Sequence, residues 1–447
     1  MSERVHFIAI GGAVMHQLAI ALKRQGNLVT GSDDRIMDPA KSNLQDHGLL
    51  PVEGWDANRI TSDMDYIVLG MHAKDDNPEL LKAQELGLRV VSFPEMVAEK
   101  CANKTRIVVG GSHGKTTTTG MIMHMLRENN LHFDYMVGSK LDSFDYMVEF
   151  SDAPIVILEG DEYLSSCLDR VPKFHWYNPH YAILTGVSYD HINVFPTEEI
   201  YEEQFKIFVD KMGEESQLIY FQGDPVLRNI ADNAQCKTTE YTALDHVVED
   251  GTTYLTLTDT KLPLKVFGNH MLENLSATMK LGKMLGIEMN DILSSLQSFS
   301  GTARRMEVIY KTETELVMRD FAHSPSKVEA TVEAVKGQFP DRNVIAFFEL
   351  HTFSSVQKDF LPRYKKTMRK ADKALVYADE VVFNSKGRQL PSPDDVKRSF
   401  ENVDVLYSEK ELRESLSQIK MDNTVLLMMS SGTFSNLPIL EILNLRP

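Results

Sequence analysis

Residues 110–119 read GGSHGKTTTT, directly after the apolar run Ile107-Val108-Val109. A short β-branched run that stops at glycine predicts a buried strand breaking into a turn, and residues 117–127 behind it have the makeup of a helix. The full phosphate-loop pattern G-x-x-x-x-G-K-[ST] asks for glycine at position 109, where this chain has Val109. What remains is the shorter Gly111-Ser112-His113-Gly114-Lys115-Thr116, set between strand and helix. In that setting the glycines let backbone N–H groups wrap phosphates, Lys115 reaches the β and γ phosphates of a nucleoside triphosphate, and the Thr116 hydroxyl can ligate Mg²⁺. A merely solvated glycine turn would leave Lys-Thr at the head of a helix unexplained.

Two segments further along supply what a magnesium nucleotide site still needs. Glu159-Gly160-Asp161-Glu162 follows an apolar strand at 154–158, and Tyr189-Asp190-His191 follows another at 181–185. A carboxylate at a strand end is well placed for a hard cation. Alone, an acidic turn is usually solvated and a single histidine usually packs or caps. Three such segments at the carboxyl ends of strands in one α/β domain are what the crevice rule for open sheets predicts.

The 447 residues call for two to four domains, and 43% hydrophobic with 25% charged residues is the makeup of a soluble globular protein. Cys101, Cys167 and Cys236 are far apart and match no metal-ligand spacing, so a reduced, cytoplasmic setting is expected. The start carries only a six-residue apolar run, at 5–10, which does not make a signal peptide, and no apolar stretch approaches the ~20 residues of a bilayer crossing. A formal charge of -17 disfavours nucleic acid as a partner. Small anions remain possible, because backbone N–H groups at helix N-termini hold them whatever the net charge.

The opening of the chain reads as a βαβ unit: a strand at 5–10, the turn Gly11-Gly12, a helix at 13–25 with Val14, Leu18, Ala21 and Leu22 on one face, and a strand at 27–30 running into Gly31-Ser32-Asp33. Strands at 66–69 and 89–91 extend this first domain, and the polar stretch 99–104 reads as a linker. The second α/β pattern runs from residue 106 through helices at 198–211 and 274–285 to the turn-rich FSGT at 299–302. Beyond it, strands at 344–348, 374–377 and 425–429 alternate with helices such as 326–337, a third α/β domain. No internal repeat or low-complexity segment interrupts the chain.

Gly111 to Thr117, Glu159-Gly160-Asp161-Glu162 and Asp190-His191 resemble, in order and spacing, the central domain of the Mur ligases, ATP-dependent enzymes that build the peptide of peptidoglycan precursors. The likeness covers nearly the whole chain. Ile10-Gly11-Gly12 with Gly31-Ser32-Asp33 looks like the N-terminal domain of the branch that accepts UDP-N-acetylmuramate. Gly268-Asn269-His270-Met271-Leu272-Glu273-Asn274 is similar to the adenine-side segment. Gly301-Thr302-Ala303-Arg304-Arg305-Met306-Glu307 and Asp320-Phe321-Ala322-His323-Ser324-Pro325 resemble the entrance to the C-terminal domain.

The resemblance implies three α/β domains: a Rossmann-like UDP-sugar domain at 1–103, a P-loop ATPase-like domain at 104–300 and a Rossmann-like amine-substrate domain at 301–447. Carried over by position, Gly111, Ser112, His113, Gly114, Lys115, Thr116 and Thr117 hold the ATP phosphates. Thr116 binds one Mg²⁺, and Glu159 and His191 bind a second. His270 and Asn274 sit by the adenine, Arg305 reaches the phosphates and Asp320 holds the ribose. Gly11, Gly12, Asp33, His72 and Asn77 are candidates for the uridine diphosphate, with helix capping or turn formation as the plainer role of each; His323 and His351 are candidates for the amine. The implied reaction makes an acyl phosphate from a carboxylate and ATP, which an amine then converts to an amide. Positioning and charge neutralisation do that work, and no Ser or Cys nucleophile is required.

Two branches of the family share the UDP-N-acetylmuramate acceptor, one adding L-alanine and the other the tripeptide L-alanyl-γ-D-glutamyl-meso-diaminopimelate in recycling. Asp190-His191-Ile192-Asn193-Val194-Phe195, Gln204-Phe205 and the stretch Met428-Met429-Ser430-Ser431-Gly432-Thr433-Phe434 look more like the tripeptide branch. The alanine branch is the alternative. Residues 348–355, FELHTFSS, carry no Arg where both branches usually have one; His323-Ser324-Pro325 stands for the usual His-His-Pro, and Met271 for a common Asn. Two other classes compete. Asp33, about 20 residues beyond Gly11, suits a dehydrogenase, but Gly11-Gly12-Ala13-Val14-Met15 lacks the G-x-G-x-x-G spacing. A catalytically dead nucleotide sensor is disfavoured by the presence of Lys115, Thr116, Glu159 and His191. The 22 methionines read as core filler.

Overall fold

The computed structural model describes residues 2–141, 143–189, 194–257 and 261–445. The chain separates into two compact units, one of residues 1–242 with 277–291 and one of residues 243–276 with 292–447.

The first unit holds two sheets. The N-terminal one has four parallel strands in the order Leu28–Ser32, Arg4–Ile8, Tyr66–Leu69, Val90–Ser92, so the opening βαβ unit forms as its apolar pattern predicts. The helix between its first strands, Ala13–Arg24, buries Met15 through Leu22. The stretch 99–104, expected as a linker, is folded in: helix Phe93–Lys100 runs to its edge, Cys101 is fully buried, and Lys104 pairs with Asp134 at 2.8 Å. The polar pattern of that stretch misled because its lysines pair with residues distant in sequence, Lys100 with Glu3 and Lys104 with Asp134. Burial pushes the Cys101 thiol up to about 12, leaving it an inert core residue.

The second sheet has seven strands in the order Lys237–Tyr241, Gln217–Phe221, Tyr181–Leu184, Thr105–Gly110, Ile155–Glu159, Phe133–Met136, Val148–Glu149. All pair in parallel except the last, an antiparallel edge. Ile107, Val108 and Val109 are fully buried, as a strand covered on both faces requires. After Thr105–Gly110 the chain builds outward on one side, then returns to the other side at Tyr181–Leu184. Thr105–Gly110 therefore marks the switch point, where the carboxyl ends of adjacent strands leave a crevice. The two sheets share one core, and Arg24, at the end of helix Ala13–Arg24, pairs with Glu149 of the second sheet at 2.7 Å while stacking on Tyr146.

The second unit contains a three-stranded antiparallel sheet, His246–Glu249, Thr252–Leu255 and Leu262–Leu264, that the sequence reading did not anticipate. Its larger sheet runs Glu307–Lys311, Glu315–Asp320, Thr424–Met429, Asn343–Glu349, Lys373–Tyr377, Asp404–Leu406, parallel apart from the first strand. Helix Asn269–Met284, five residues longer at its start than its apolar pattern suggests, spans the division between the units.

Candidate active site

The glycine loop is shaped by backbone conformations that favour glycine. Gly111 has φ +126° and Gly114 φ +76°, and a Cβ at Gly111 would collide with the Thr185 hydroxyl. The loop is tied to the end of the adjoining strand: Ser112 N–H donates to Gly186 O at 2.9 Å, and the Thr185 hydroxyl donates to Gly110 O at 3.1 Å and also reaches His113 O. Gly114 caps helix Lys115–Glu128, which begins two residues before the pattern suggested. Lys115 and Thr116 thus occupy its first turn, where unpaired N–H groups and the helix dipole favour anions.

Around this turn the structure gathers a set of carboxylates. Lys115 Nζ donates to Gly111 O at 2.6 Å and to Glu162 Oε2 at 2.7 Å. Burial opposes the lysine charge, but Glu162 and Asp161 outweigh it and hold its pKa above the ordinary value. Asp161 is likewise opposed by burial and held down by Lys173, 2.5 Å away. The Thr116 hydroxyl donates to Glu159 Oε1 at 2.9 Å, while Gly138 N–H donates to Glu159 Oε2 at 3.0 Å. Tyr201 OH donates to Glu162 Oε1 at 3.2 Å and meets Ser112 Oγ at 2.8 Å. Glu162, Tyr201 and Gly138 were not singled out from sequence. Glu162 lay inside the quoted acidic turn, whereas nothing local marks Tyr201 or Gly138.

Among the described residues no three metal-ligating side chains cluster. Asp190 and His191 lie outside the described residues. The two oxygen donors at Thr116 and Glu159 are nevertheless of the kind Mg²⁺ takes and already adjacent, so the residues present fit that ion.

The remaining candidates divide by unit. In the first, Gly11 N–H donates to Asp33 Oδ2 at 2.7 Å, tying together the loops after the adjacent strands Arg4–Ile8 and Leu28–Ser32 of the N-terminal sheet. Burial raises the Asp33 carboxyl. Asn77 uses its side-chain oxygen to cap helix Pro78–Glu85, accepting from Glu79 and Leu80 N–H, and His72 is exposed. In the second, His270 begins helix Asn269–Met284, with Asn274 one turn on. Burial lowers the His270 pKa against the pull of Asp320. Asp320 accepts from Met306 N–H and Ala322 N–H, both at 2.8 Å, and from Thr331, so its oxygens organise the Met306 turn. Arg305 stacks on Phe321, and His323 Nδ1 bonds Phe321 O at 2.7 Å.

His351 meets Ser431 Oγ at 3.3 Å, beside a loop the sequence only hinted at. Glu349 Oε2 accepts from Ser430 Oγ and from Phe434 N–H, and Phe434, Ser435 and Asn436 all have positive φ. Tyr377 and Asp379 hold Ser435 at 2.8 and 2.9 Å. Three consecutive left-handed residues persist only where side chains over-determine them.

Family models match in three consecutive parts: the Mur ligase family catalytic domain over residues 4–105, the Mur ligase middle domain over 109–282, and the Mur ligase glutamate ligase domain over 304–432. A UDP-N-acetylmuramate–L-alanine ligase of Clostridium kluyveri is 32% identical over 376 residues, 80% of each chain. The chain belongs to the Mur ligase family. A relative of the same name from Chlorobium luteolum is 31% identical, covering 88% of this chain and 83% of its own. Among solved structures, the UDP-N-acetylmuramate–alanine ligase of Thermotoga maritima superposes with TM-score 0.73 at 22% identity over 99% of this chain and 98% of its own. A murein peptide ligase of Psychrobacter arcticus gives 0.67 at 23% over 99% of each. These two share the fold. As a Mur ligase the chain is an ATP-dependent, amide-forming ligase of peptidoglycan synthesis with the three-domain α/β architecture of that family.

Proposed function

We propose that this Mur ligase joins the carboxylate of UDP-N-acetylmuramate to the amine of L-alanyl-γ-D-glutamyl-meso-diaminopimelate. The observation that carries the ATP site is Lys115 and Thr116 on the first turn after the glycine loop, with Glu159 2.9 Å from Thr116. Lys115 meets the β and γ phosphates, trading its contact with Glu162 for them. The glycine-loop N–H groups cradle the same charge. Thr116 would hold one Mg²⁺ and Glu159 with His191 a second, and the bound metal would neutralise phosphate charge. The sugar carboxylate takes the γ phosphoryl group, and the amine displaces phosphate from the resulting acyl phosphate. His270 and Asn274 face the adenine, Arg305 the phosphates and Asp320 the ribose; Gly11, Gly12, Asp33, His72 and Asn77 serve the uridine diphosphate, and His323 and His351 the amine. The domain assignment is 1–103, 104–300 and 301–447, in a cytoplasmic protein; no helix of the described residues is long and apolar enough to cross a membrane.

The tripeptide is favoured by Val194-Phe195 with Gln204-Phe205 and by the residues 428–434, whose Ser430 is tied to Glu349 beside His351. L-alanine is the second reading, favoured by the names of the curated relatives. Phosphate release from Mg-ATP with UDP-N-acetylmuramate, offering each amine separately and weighing the product by mass spectrometry, decides between them. Turnover with alanine alone rejects the tripeptide, and silence with both rejects the amine assignment altogether.

A further inference from the structure

The first unit contains a chain of hydrogen bonds that the ligase reading does not use. His16 and Gln17 lie on the first turns of helix Ala13–Arg24 and are 1% and 6% exposed. Met147 N–H, next to the edge strand Val148–Glu149 of the second sheet, donates to Gln17 Oε1 at 3.1 Å. That contact orients the Gln17 amide, so its nitrogen is the atom lying 3.0 Å from His16 Nε2. Asn43 Nδ2 reaches the same ring nitrogen at 3.1 Å. Two amide N–H groups converge on Nε2, which must therefore accept. The ring proton is then on Nδ1, 2.8 Å from Gly12 O. Burial lowers the His16 pKa, consistent with a neutral ring.

We propose that His16, held by Gln17 and Asn43 as the Nδ1–H tautomer, is a positioning residue that sets the Gly11-Gly12 turn for the diphosphate of a nucleotide sugar and links that turn to the ATP-binding sheet. Gly12 O receives both the helix bond from His16 N at 3.0 Å and the ring bond, so the carbonyl points into the helix and away from the turn's mouth. On the other side, Asp33 holds Gly11 N–H. The turn is thus clamped from both flanks, ahead of a helix first turn whose N–H groups are of the kind that hold an anion. The Met147–Gln17–His16–Gly12 chain is the polar counterpart of the Arg24–Glu149 pair two turns along the same helix face. It couples the two sheets through a single amide whose donor and acceptor are both committed. This inference rests on the reading of Gly11-Gly12 as the nucleotide-sugar turn.

The test uses the full-length protein and UDP-N-acetylmuramate. Calorimetric binding of that sugar by the unaltered protein tests the underlying reading; no binding removes it and the positioning role with it. Given binding, His16→Phe keeps the ring volume but removes the bond to Gly12 O. It is expected to raise the KM for the sugar about fivefold or more, the worth of one buried hydrogen bond, with kcat and the KM for ATP held within about twofold. Gln17→Leu is expected to act in the same direction. Unchanged sugar KM in both variants overturns the positioning role while leaving the site reading intact. Nitrogen-15 NMR of histidine-labelled protein reads the tautomer without any variant: an Nδ1–H, neutral His16 near pH 7 supports the proposal, and an Nε2–H or doubly protonated ring overturns it even if the variants fail to fold.

Discussion

Lys115 Nζ lies 2.7 Å from Glu162 Oε2, and the two residues are brought together across 47 positions of sequence by adjacent strands of one parallel sheet. The contact gives the largely buried Lys115 cation a built-in partner, which phosphate would replace under the proposed function. Lys115→Ala is therefore expected to abolish ATP-dependent phosphate release while leaving UDP-sugar binding largely intact. Near-normal turnover in a coupled phosphate assay would remove Lys115 from the site.

The same pair carries a stability prediction. Glu162→Gln removes the carboxylate that Lys115 Nζ meets and leaves the lysine charge to Gly111 O and the more distant Asp161, and breaking a buried pair from one side costs about 3 kcal/mol. The urea midpoint of the first unit is expected to fall in Glu162→Gln and to recover substantially in the double variant Lys115→Met with Glu162→Leu. A double variant as unstable as the single one would mean that the pair is not what Glu162→Gln disturbs.

Gly138 is a sensitive neighbour of Glu159, the carboxylate proposed to hold a metal. A Cβ there would stand 2.9 Å from Glu159 Oε1, so Gly138→Ala must push the carboxylate away from Thr116. Loss of a group that orients a metal ligand costs roughly 10–100-fold in metal affinity or activity. The Mg²⁺ concentration for half-maximal turnover is expected to rise by that order, with titration of Mg²⁺ in the ligase assay as the check.

His175 supplies a pH signature. It is buried, bonded through Nε2 to Gln204 O at 2.8 Å, and desolvation brings its pKa down to about 4 from 6.5. Because the folded value is the lower one, the unfolded chain takes up the proton first as pH drops. The neutral ring costs nothing above pH 6.5, and stability is lost as pH falls from there towards 4, by about 3 kcal/mol in all. Replacement by Gln is expected to flatten that part of a midpoint-against-pH curve; an unchanged slope in His175→Gln would assign it to other groups.

Much of the central site was legible locally. Gly111, Gly114, Lys115 and Thr116 fall within six residues, and their chemistry needs only a strand before them and a helix after, both of which the apolar pattern announces. Glu159 was readable because it ends a buried run. Asn77 takes the capping role set beside the diphosphate reading, whereas Asp320, named through the family resemblance, accepts from Met306 and Ala322 N–H, contacts its spacing does not foretell. The stretch 99–104 read as a linker because charge pattern carries no information about Asp134, thirty residues away in sequence.

The sequence by itself determined the α/β class, the glycine loop and its nucleotide chemistry, because these depend on periodicity and on contacts within a few residues. Only the tertiary structure decided which partners share a charge. Glu162 against Lys115, Gly138 against Glu159, Tyr201 against Ser112, and Gln17 bridging Met147 to His16 all join residues from separate elements. Such pairings are set by strand order and burial, where desolvation makes each polar group seek a partner, and a one-dimensional pattern does not contain that order.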